Sequence, residues 1–170
     1  MILAKLEDTV WKKQAIAEVR HTGRVIAVND HDEYAFLRIV GEDAFGQRDH
    51  LETIGGGIEE NESEEAAIHR EVMEEIGYTC EIIGAIGEIV DRYYLIKRET
   101  HSHFYAVRLG ENIGQIKRTP LEQMLIAEVV WLKEGEVLPI LENERAKGIN
   151  RLIQQRDACA FAAYLKQKSK

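Results

Sequence analysis

The residues of this chain that could do chemistry are concentrated between positions 56 and 78. Within this segment Glu71, Glu74 and Glu75 follow Arg70 at helical spacing. At about 100° per residue, the three carboxylates share one arc of a helix surface. Like charges this close destabilise a helix unless something offsets them, and a hard cation such as Mg²⁺ prefers oxygen ligands. The spacing therefore predicts a divalent-metal site.

The same segment carries the signals of the helix that would hold these carboxylates. Ser63 can cap its first turn, and Gly77 can end it as a left-handed residue. Between them, Ile68, Val72 and Ile76 form an apolar stripe at i, i+4 and i+8. We predict a helix between Ser63 and Gly77 that buries this stripe and presents the carboxylates beside it.

A solvated acidic helix face is the alternative interpretation of these charges. Two features argue against it. A run of three glycines, residues 55–57, precedes the helix and permits a close approach of the backbone. The acidic residues also adjoin the apolar stripe rather than lying opposite it.

This pattern resembles the Nudix box, in which glycine, glutamate, an Arg-Glu pair, a Glu-Glu pair and a final glycine recur at fixed offsets. The chain matches the box at Gly56, Glu62, Arg70, Glu71, Val72, Glu74, Glu75 and Gly77. It departs from the usual family sequence at Tyr78, where an aliphatic residue is common. Thr53 and Ile54 stand where a proline usually precedes the glycines.

The resemblance implies a hydrolase of nucleoside diphosphates linked to another group, with Mg²⁺ or Mn²⁺ as cofactor. The metal ligands that it implies are the side chains of Glu71, Glu74 and Glu75 and the carbonyl oxygen of Gly55. It implies that Arg70 orients the catalytic carboxylates. It gives structural or outer-sphere roles to Gly56, Glu62 and Gly77.

Acidic residues beyond the box are candidates for the general base, alongside the box glutamates themselves. Glu122 and Glu128 precede a predicted strand at 129–132, where relatives often carry an extra acid. An ordinary surface glutamate is the alternative at each position.

Several other side chains are weaker candidates. Arg48, Arg92 and Arg98 could contact phosphate, because guanidinium groups bind phosphate bidentately, although solvated arginines are the alternative. His101 and His103 would point the same way from a strand. No third ligand is visible in the sequence, so we expect surface or packing histidines there.

Composition limits the classes of function. The net charge of −8 argues against broad affinity for nucleic acid or anionic membrane. It also favours a cation between the site and an anionic substrate. No apolar run reaches the roughly 20 residues of a membrane span. The first residues show no signal-peptide pattern, and the two cysteines form no metal or disulfide motif. We expect a cytoplasmic protein that binds a small-molecule nucleotide.

The order of predicted elements is strands, one helix, strands, then helices. It indicates an α+β fold with a mixed sheet between helices, and the resemblance implies the α/β/α Nudix sandwich. We predict a single domain over residues 1–170, with a core at about 17–135 and a C-terminal helical segment at about 135–168. That segment either completes the core or forms a homodimer contact. Residues 41–49 are predicted to be a polar loop.

Three functional interpretations remain at this point. The first is a Mg²⁺-dependent pyrophosphohydrolase. The second is a non-catalytic nucleotide-sensing or regulatory module on the same fold, which the intact box argues against. The third, an isomerase of isoprenoid diphosphates, would need a catalytic cysteine near the site, and Cys80 has no partner that the sequence reveals.

Overall fold

The computed structural model describes residues 1–143 and 145–169, and these residues form an α+β fold with an eight-stranded mixed sheet between helices. The elements in chain order are β1 Ile2–Glu7, β2 Glu18–Val28, β3 Glu33–Asp43, β4 Gly46–Glu52, β5 Gly55–Gly57, α1 Glu64–Ile76, β6 Tyr78–Tyr93, β7 Arg98–Asn112, α2 Pro120–Leu125, β8 Ile126–Lys133, α3 Glu134–Leu141 and α4 Gly148–Lys168. The predicted fold class is confirmed.

The sheet runs in the order β1-β6-β7-β2-β3-β4, with β5 paired to β2 and β8 paired to β3. The pairs β1–β6 and β2–β7 are parallel, and the other pairs are antiparallel. In the register β2 pairs with β3 at Ala27 and Val28 and with β5 at residues 22–24. The glycine strand β5 therefore lies directly against Arg24.

The core lies on both faces of the sheet, and β2 shows why. Successive side chains of a strand point to opposite faces. Val25 and Ala27 pack in the cluster that contains α1, whereas Ile26 and Val28 pack in the cluster that contains α3 and α4. Phe161 of α4 is fully buried in this second cluster. The C-terminal helices thus form one outer layer of the sandwich and α1 forms the other.

Helix α1 has the predicted ends and the predicted buried face. The Ser63 hydroxyl accepts a hydrogen bond of 3.1 Å from the backbone N–H of Ala66. Gly77 ends the helix with φ of 78°, a conformation that glycine adopts at little cost. The apolar stripe of Ile68, Val72 and Ile76 is buried. These local signals were sufficient because capping and helical spacing are encoded within a few residues.

One predicted loop is wrong, and two strands lie where the sequence predicts none. Residues 41–49 are not a polar loop, because β3 and β4 continue through them as a hairpin in which Gly46, the first residue of β4, has a φ of 93°. Residues 55–57 form a short strand, although glycine has little intrinsic preference for one. Residues 2–7 form a strand that pairs with β6. The pairing partners of β5 and β1 are distant in the sequence, whereas β3 and β4 are neighbours in the chain.

The described part of the chain contains no helix that is long and apolar enough to cross a membrane.

Candidate functional site

Two of the three carboxylates predicted as ligands are buried against the glycine strand. Glu71 is 7% exposed and Glu75 is 5% exposed, whereas Glu74 is half-buried. The Glu75 carboxylate accepts a hydrogen bond of 2.9 Å from the backbone N–H of Gly55. The Glu71 carboxylate lies against Gly56. The fold thus brings the acidic face of α1 and β5 together.

Arg70 connects this helix to the loop that precedes it. Its Nε and Nη2 donate hydrogen bonds of 2.8 Å to the two carboxylate oxygens of Glu62. Nη2 also donates to the carbonyl oxygen of Gly57 at 2.9 Å. Nη1 donates to Glu71 at 2.7 Å and to Glu74 at 3.3 Å. The hydrogen bonds from Arg70 lower the pKa of Glu62 to about 2.

The buried carboxylates are short of compensating positive charge. Burial raises the pKa of Glu71 above its usual value, although the hydrogen bond from Arg70 acts in the opposite direction. Burial raises the pKa of Glu75 well above its usual value, and the charge of Glu71 adds to this effect. The charge of Glu122 also raises the pKa of Glu71. A divalent cation would relieve this repulsion.

The donor set fits a hard divalent cation because it consists of oxygen ligands, which Mg²⁺ prefers. In the present side-chain arrangement, however, no three His, Cys, Asp or Glu residues in the described ranges are placed to hold a metal ion together. Glu71 and Glu74 share the Nη1 group of Arg70 instead. Arg70 contacts one oxygen of each carboxylate, Oε1 of Glu71 and Oε2 of Glu74, so the second oxygen of each could bind a cation while Arg70 holds the first.

The two acids predicted beyond the box occupy different environments. Glu122 lies in α2, where it completes a capping box with Thr119, and its charge acts on Glu71. Glu128 does not precede the strand as predicted, because β8 begins at Ile126. It is exposed and lies opposite Arg38 in the register of β3 and β8.

The remaining box residues have structural environments. Gly77 ends α1, and its carbonyl oxygen accepts hydrogen bonds from the backbone N–H groups of Ile113 and Gly114. The ring of Tyr78 meets the ring of Trp131 edge-on, with centroids 5.8 Å apart. The aromatic residue therefore fills a position where an aliphatic side chain is common.

An unpredicted cluster of arginines lines a cavity of about 150 Å³, which we call the arginine pocket. The arginines are Arg20, Arg24, Arg48, Arg98 and Arg156. They come from β2, β4, β7 and α4, so no sequence spacing reveals them. Of the weaker candidates for phosphate contact, Arg48 and Arg98 lie in this pocket. Arg92 does not line it and instead donates a hydrogen bond of 2.7 Å to Glu99.

Glu52 is the carboxylate that lines the arginine pocket. It lies 2.8 Å from Nη2 of Arg24 and 3.0 Å from Nε2 of His50. Burial acts to raise its pKa, but the charge of Arg24 and the hydrogen bond from His50 outweigh burial and hold the pKa well below its usual range. Glu52 therefore stays ionised and cannot serve as a proton donor at neutral pH.

The two histidines predicted on one side of a strand have a third histidine beside them. His21 of β2 lies opposite His101 of β7, and its Nδ1 lies 3.1 Å from Nε2 of His103. His101 also contacts the carboxylates of Glu88 and Glu99. These contacts are typical of packing histidines, as predicted, and only the strand pairing could have revealed His21.

Cys80 has a partner that its sequence context does not reveal. Its Sγ lies 3.4 Å from Nδ1 of His69 in α1. Burial raises the pKa of the Cys80 thiol to about 11, so the thiol stays protonated at neutral pH. A protonated thiol is a poor nucleophile, which argues against the isomerase interpretation.

The chain matches a known family model, and its fold is similar to solved structures. The model of the NUDIX domain family matches residues 20–153. The fold is similar to a NUDIX hydrolase from Nitrosomonas europaea, with a TM-score of 0.65, 18% identity, and coverage of 88% of this chain and 90% of that one. It is similar to a MutT protein from Methanosarcina mazei Go1, with a TM-score of 0.63, 16% identity, and coverage of 94% and 100%.

A third similar structure is a UDP-X diphosphatase, with a TM-score of 0.59, 15% identity, and coverage of 91% of this chain and 66% of that one. At these identities the structures show a shared fold. No curated protein matches the chain in sequence.

Proposed function

This chain belongs to the NUDIX domain family and is a Nudix hydrolase, and we propose that it uses Mg²⁺ to split the pyrophosphate bond of a nucleoside diphosphate linked to another group. Mn²⁺ would serve in place of Mg²⁺. The substrate is a small-molecule nucleotide derivative. A cytoplasmic location and a homodimer remain predictions.

One observation carries this proposal: two carboxylates are buried side by side next to a glycine strand without enough positive charge around them. Burial raises the pKa of both Glu71 and Glu75. Ordinary solvated acidic faces do not show this, because their carboxylates stay in water. A charged side chain is usually buried only where it is paired with an opposite charge or coordinates a metal.

In the proposed mechanism the carboxylates of Glu71, Glu74 and Glu75 and the carbonyl oxygen of Gly55 would hold the cation. A bound divalent cation would lower the pKa of water and stabilise the charge that develops on the leaving oxygen. Arg70 acts as a positioning residue, because its hydrogen bonds set where the carboxylates of Glu71 and Glu74 point.

The general base is proposed to be one of the box glutamates or Glu122. Glu122 fits this role better than Glu128, because its charge acts on Glu71 whereas Glu128 is exposed on β8. The reaction would be an in-line attack of water on phosphorus, with the base accepting the proton of that water.

The test is a panel of nucleoside diphosphate derivatives and dinucleoside polyphosphates, incubated with protein and Mg²⁺ or Mn²⁺ and analysed by mass. Release of a nucleoside monophosphate or a phosphorylated fragment supports hydrolysis. A thermal shift with nucleotide but no turnover on any compound would favour the non-catalytic sensing module instead. Including an isoprenoid diphosphate, with the compounds separated by chromatography, would expose isomerisation, because an isomeric product has the mass of the substrate but a different retention time.

A further inference from the structure

The arginine pocket contains buried guanidinium groups whose hydrogen-bonding capacity is not used. Arg48 is 8% exposed, and neither its Nε nor its Nη1 has a hydrogen-bond partner among the described residues. The same is true of Nε of Arg24 and Nη2 of Arg156. Buried polar groups are normally satisfied, and an unsatisfied charged donor is especially costly. These donors therefore point to a ligand.

Carboxylates lie near most arginines of the pocket, and the buried carboxylate of Asp91 also interacts with the charges of Arg156 and Arg24. Arg24 pairs with Glu52, and Arg156 pairs with Asp157 at 2.7 Å. Arg48 has Asp43 only at 3.5 Å from its Nη1, without a hydrogen bond. Arg98 pairs with Glu18 at 3.0 Å near the surface.

Arg20, the fifth arginine, lies at the exposed edge of the pocket, where partial desolvation and the like charges of Arg98 and Arg24 lower its pKa. Like charges that repel one another in this way would be stabilised by an anion. The unused guanidinium donors and this repulsion together favour an anionic ligand.

The shape and the walls of the pocket favour a compact oxyanion over a nucleobase. A cavity of about 150 Å³ is small for a base with its sugar. Its aromatic rings are also not free to stack on a base. The guanidinium carbon of Arg48 lies 5.6 Å from the centroid of the Phe45 ring. The ring of Tyr93 is 8% exposed, and its hydroxyl donates to Asp91 at 2.7 Å. Guanidinium groups, in contrast, match a phosphate in charge and geometry.

The arginine pocket adjoins the proposed hydrolytic site. Arg24 lies next to both sites. Gly55 of β5 pairs with Arg24 in the sheet, and the charge of Arg24 acts to lower the pKa of Glu75, against the larger effect of burial. Arg20 lies against Gly57. Arg48, from β4, and Arg98, from the start of β7, also line the pocket.

We propose that the arginine pocket binds a phosphoryl group of the substrate in addition to the scissile pyrophosphate. The substrate class is then a pyrophosphate compound that carries a further phosphate, rather than one that ends in a neutral sugar or base. This inference rests on the proposed function for the identity of the ligand, but the pocket itself can be tested without turnover.

The first test is a calorimetric titration of inorganic phosphate into the metal-free protein. We expect saturable binding to the wild type that is about tenfold weaker in Arg48→Gln, because the variant loses a charge-assisted hydrogen bond to the anion. Arg98→Gln, on the more exposed side of the pocket, should weaken binding in the same direction without risk to the fold.

Arg92→Gln is the matched control, because Arg92 is exposed and pairs with Glu99 outside the pocket. It should leave phosphate binding within about twofold of wild type, the scatter expected for a distant exposed charge. Absence of saturable phosphate binding, or an equal loss in all three variants, would overturn the proposal.

The second test compares two nucleoside diphosphate derivatives that differ only by one terminal phosphate. Arg48→Gln should lower kcat/KM about tenfold for the phosphorylated compound and about twofold or less for the other. An equal loss for both compounds would overturn the assignment to an additional phosphate. If the wild type hydrolyses neither, the proposed function fails, while the phosphate titration still decides whether the pocket binds an oxyanion.

Discussion

The carboxylate of Glu71 occupies the space that a side chain at Gly56 would need. A Cβ atom built on Gly56 would stand 2.5 Å from Oε1 of Glu71, well inside van der Waals contact. Gly56 does not have the positive φ of its neighbour Gly55, which is at 140°. Glycine is therefore needed at position 56 for contact with the carboxylate rather than for its backbone conformation.

This contact predicts that Gly56→Ala lowers activity more than stability. The carboxylate end of Glu71 is flexible and can turn away, but it then leaves the position in which it would hold a cation. We expect kcat/KM to fall about 100-fold, which is typical of a catalytic group displaced by about 1 Å. Steady-state kinetics and a thermal unfolding curve measured on the same sample would check both parts.

Gly84→Ala is the matched control for this substitution. Gly84 also lies in a strand, β6, but a Cβ there would meet no atom within 4 Å. It should leave kcat/KM close to wild type. Equal activities for the two alanine variants would show that the contact between Gly56 and Glu71 has no functional role.

A second prediction concerns Glu75→Gln. The amide oxygen of glutamine can still accept the hydrogen bond from Gly55, so the fold should survive. The charge that would bind the cation is lost, and we expect kcat to fall by about 10³-fold, because a metal ion supplies several kcal/mol of transition-state stabilisation. Glu65→Gln, an exposed position on the same helix, is the control and should retain activity. Comparable rates in the two variants would refute the ligand assignment.

A third prediction separates the geometry of Arg70 from its charge. Lysine keeps the charge at position 70 but cannot reproduce the forked contacts to Glu62, Glu71 and Glu74. We expect Arg70→Lys to lower the free energy of unfolding by about 1–3 kcal/mol, as for the loss of hydrogen bonds to charged groups. It should also raise the Mg²⁺ concentration needed for half-maximal activity.

Arg151→Lys, on the exposed surface of α4, controls for the generic effect of replacing arginine by lysine. A metal requirement that is unchanged in Arg70→Lys, together with a loss of stability, would make Arg70 purely structural.

A fourth prediction is a pH dependence at His101, away from the proposed metal site. Burial acts to lower the pKa of His101, but its hydrogen bonds to Glu88 and Glu99 outweigh burial, so the folded-state pKa is raised above 6.5. A raised histidine pKa contributes stability that is complete below the unfolded value and is lost as pH rises through the folded value. The pKa values of Glu88 and Glu99 are lowered, so both stay charged across this range.

The measurement is the free energy of unfolding of wild type and His101→Asn from about pH 5.5 to pH 8.5, around the ordinary histidine pKa. The advantage of the wild type should shrink as the pH rises. Two other histidines, His21 and His103, lie nearby and are present in both proteins. A constant difference across this range would contradict the prediction.

Helix α1 could be predicted from neighbouring residues, whereas the rest of the site depends on contacts between residues distant in the sequence. Ser63, the apolar stripe and Gly77 define the helix within a few residues, and the structure has each of them where the sequence predicts. The strand at Gly55–Gly57 exists because β2 offers it a partner, which glycine propensity does not indicate. The arginine pocket is assembled from four elements, and its arginines are spread over residues 20–156.

The metal ligands remain a prediction, because local sequence can define a helix face but cannot show how its carboxylates are arranged. Two of them are buried as a ligand pair would be, and Arg70 contacts one oxygen each of Glu71 and Glu74. These contacts join residues of α1 whose side-chain orientations depend on the folded structure and not on their spacing in the sequence.

The most direct test of the central claim is the rate of product formation by the wild-type protein as Mg²⁺ is raised from a chelator-treated start, in water enriched in ¹⁸O. The account predicts no turnover without a divalent cation, a saturable rise as Mg²⁺ or Mn²⁺ is added, and one ¹⁸O atom in one of the two phosphorylated products. A full rate in the presence of chelator, or no turnover of any pyrophosphate compound at any cation concentration, would contradict it.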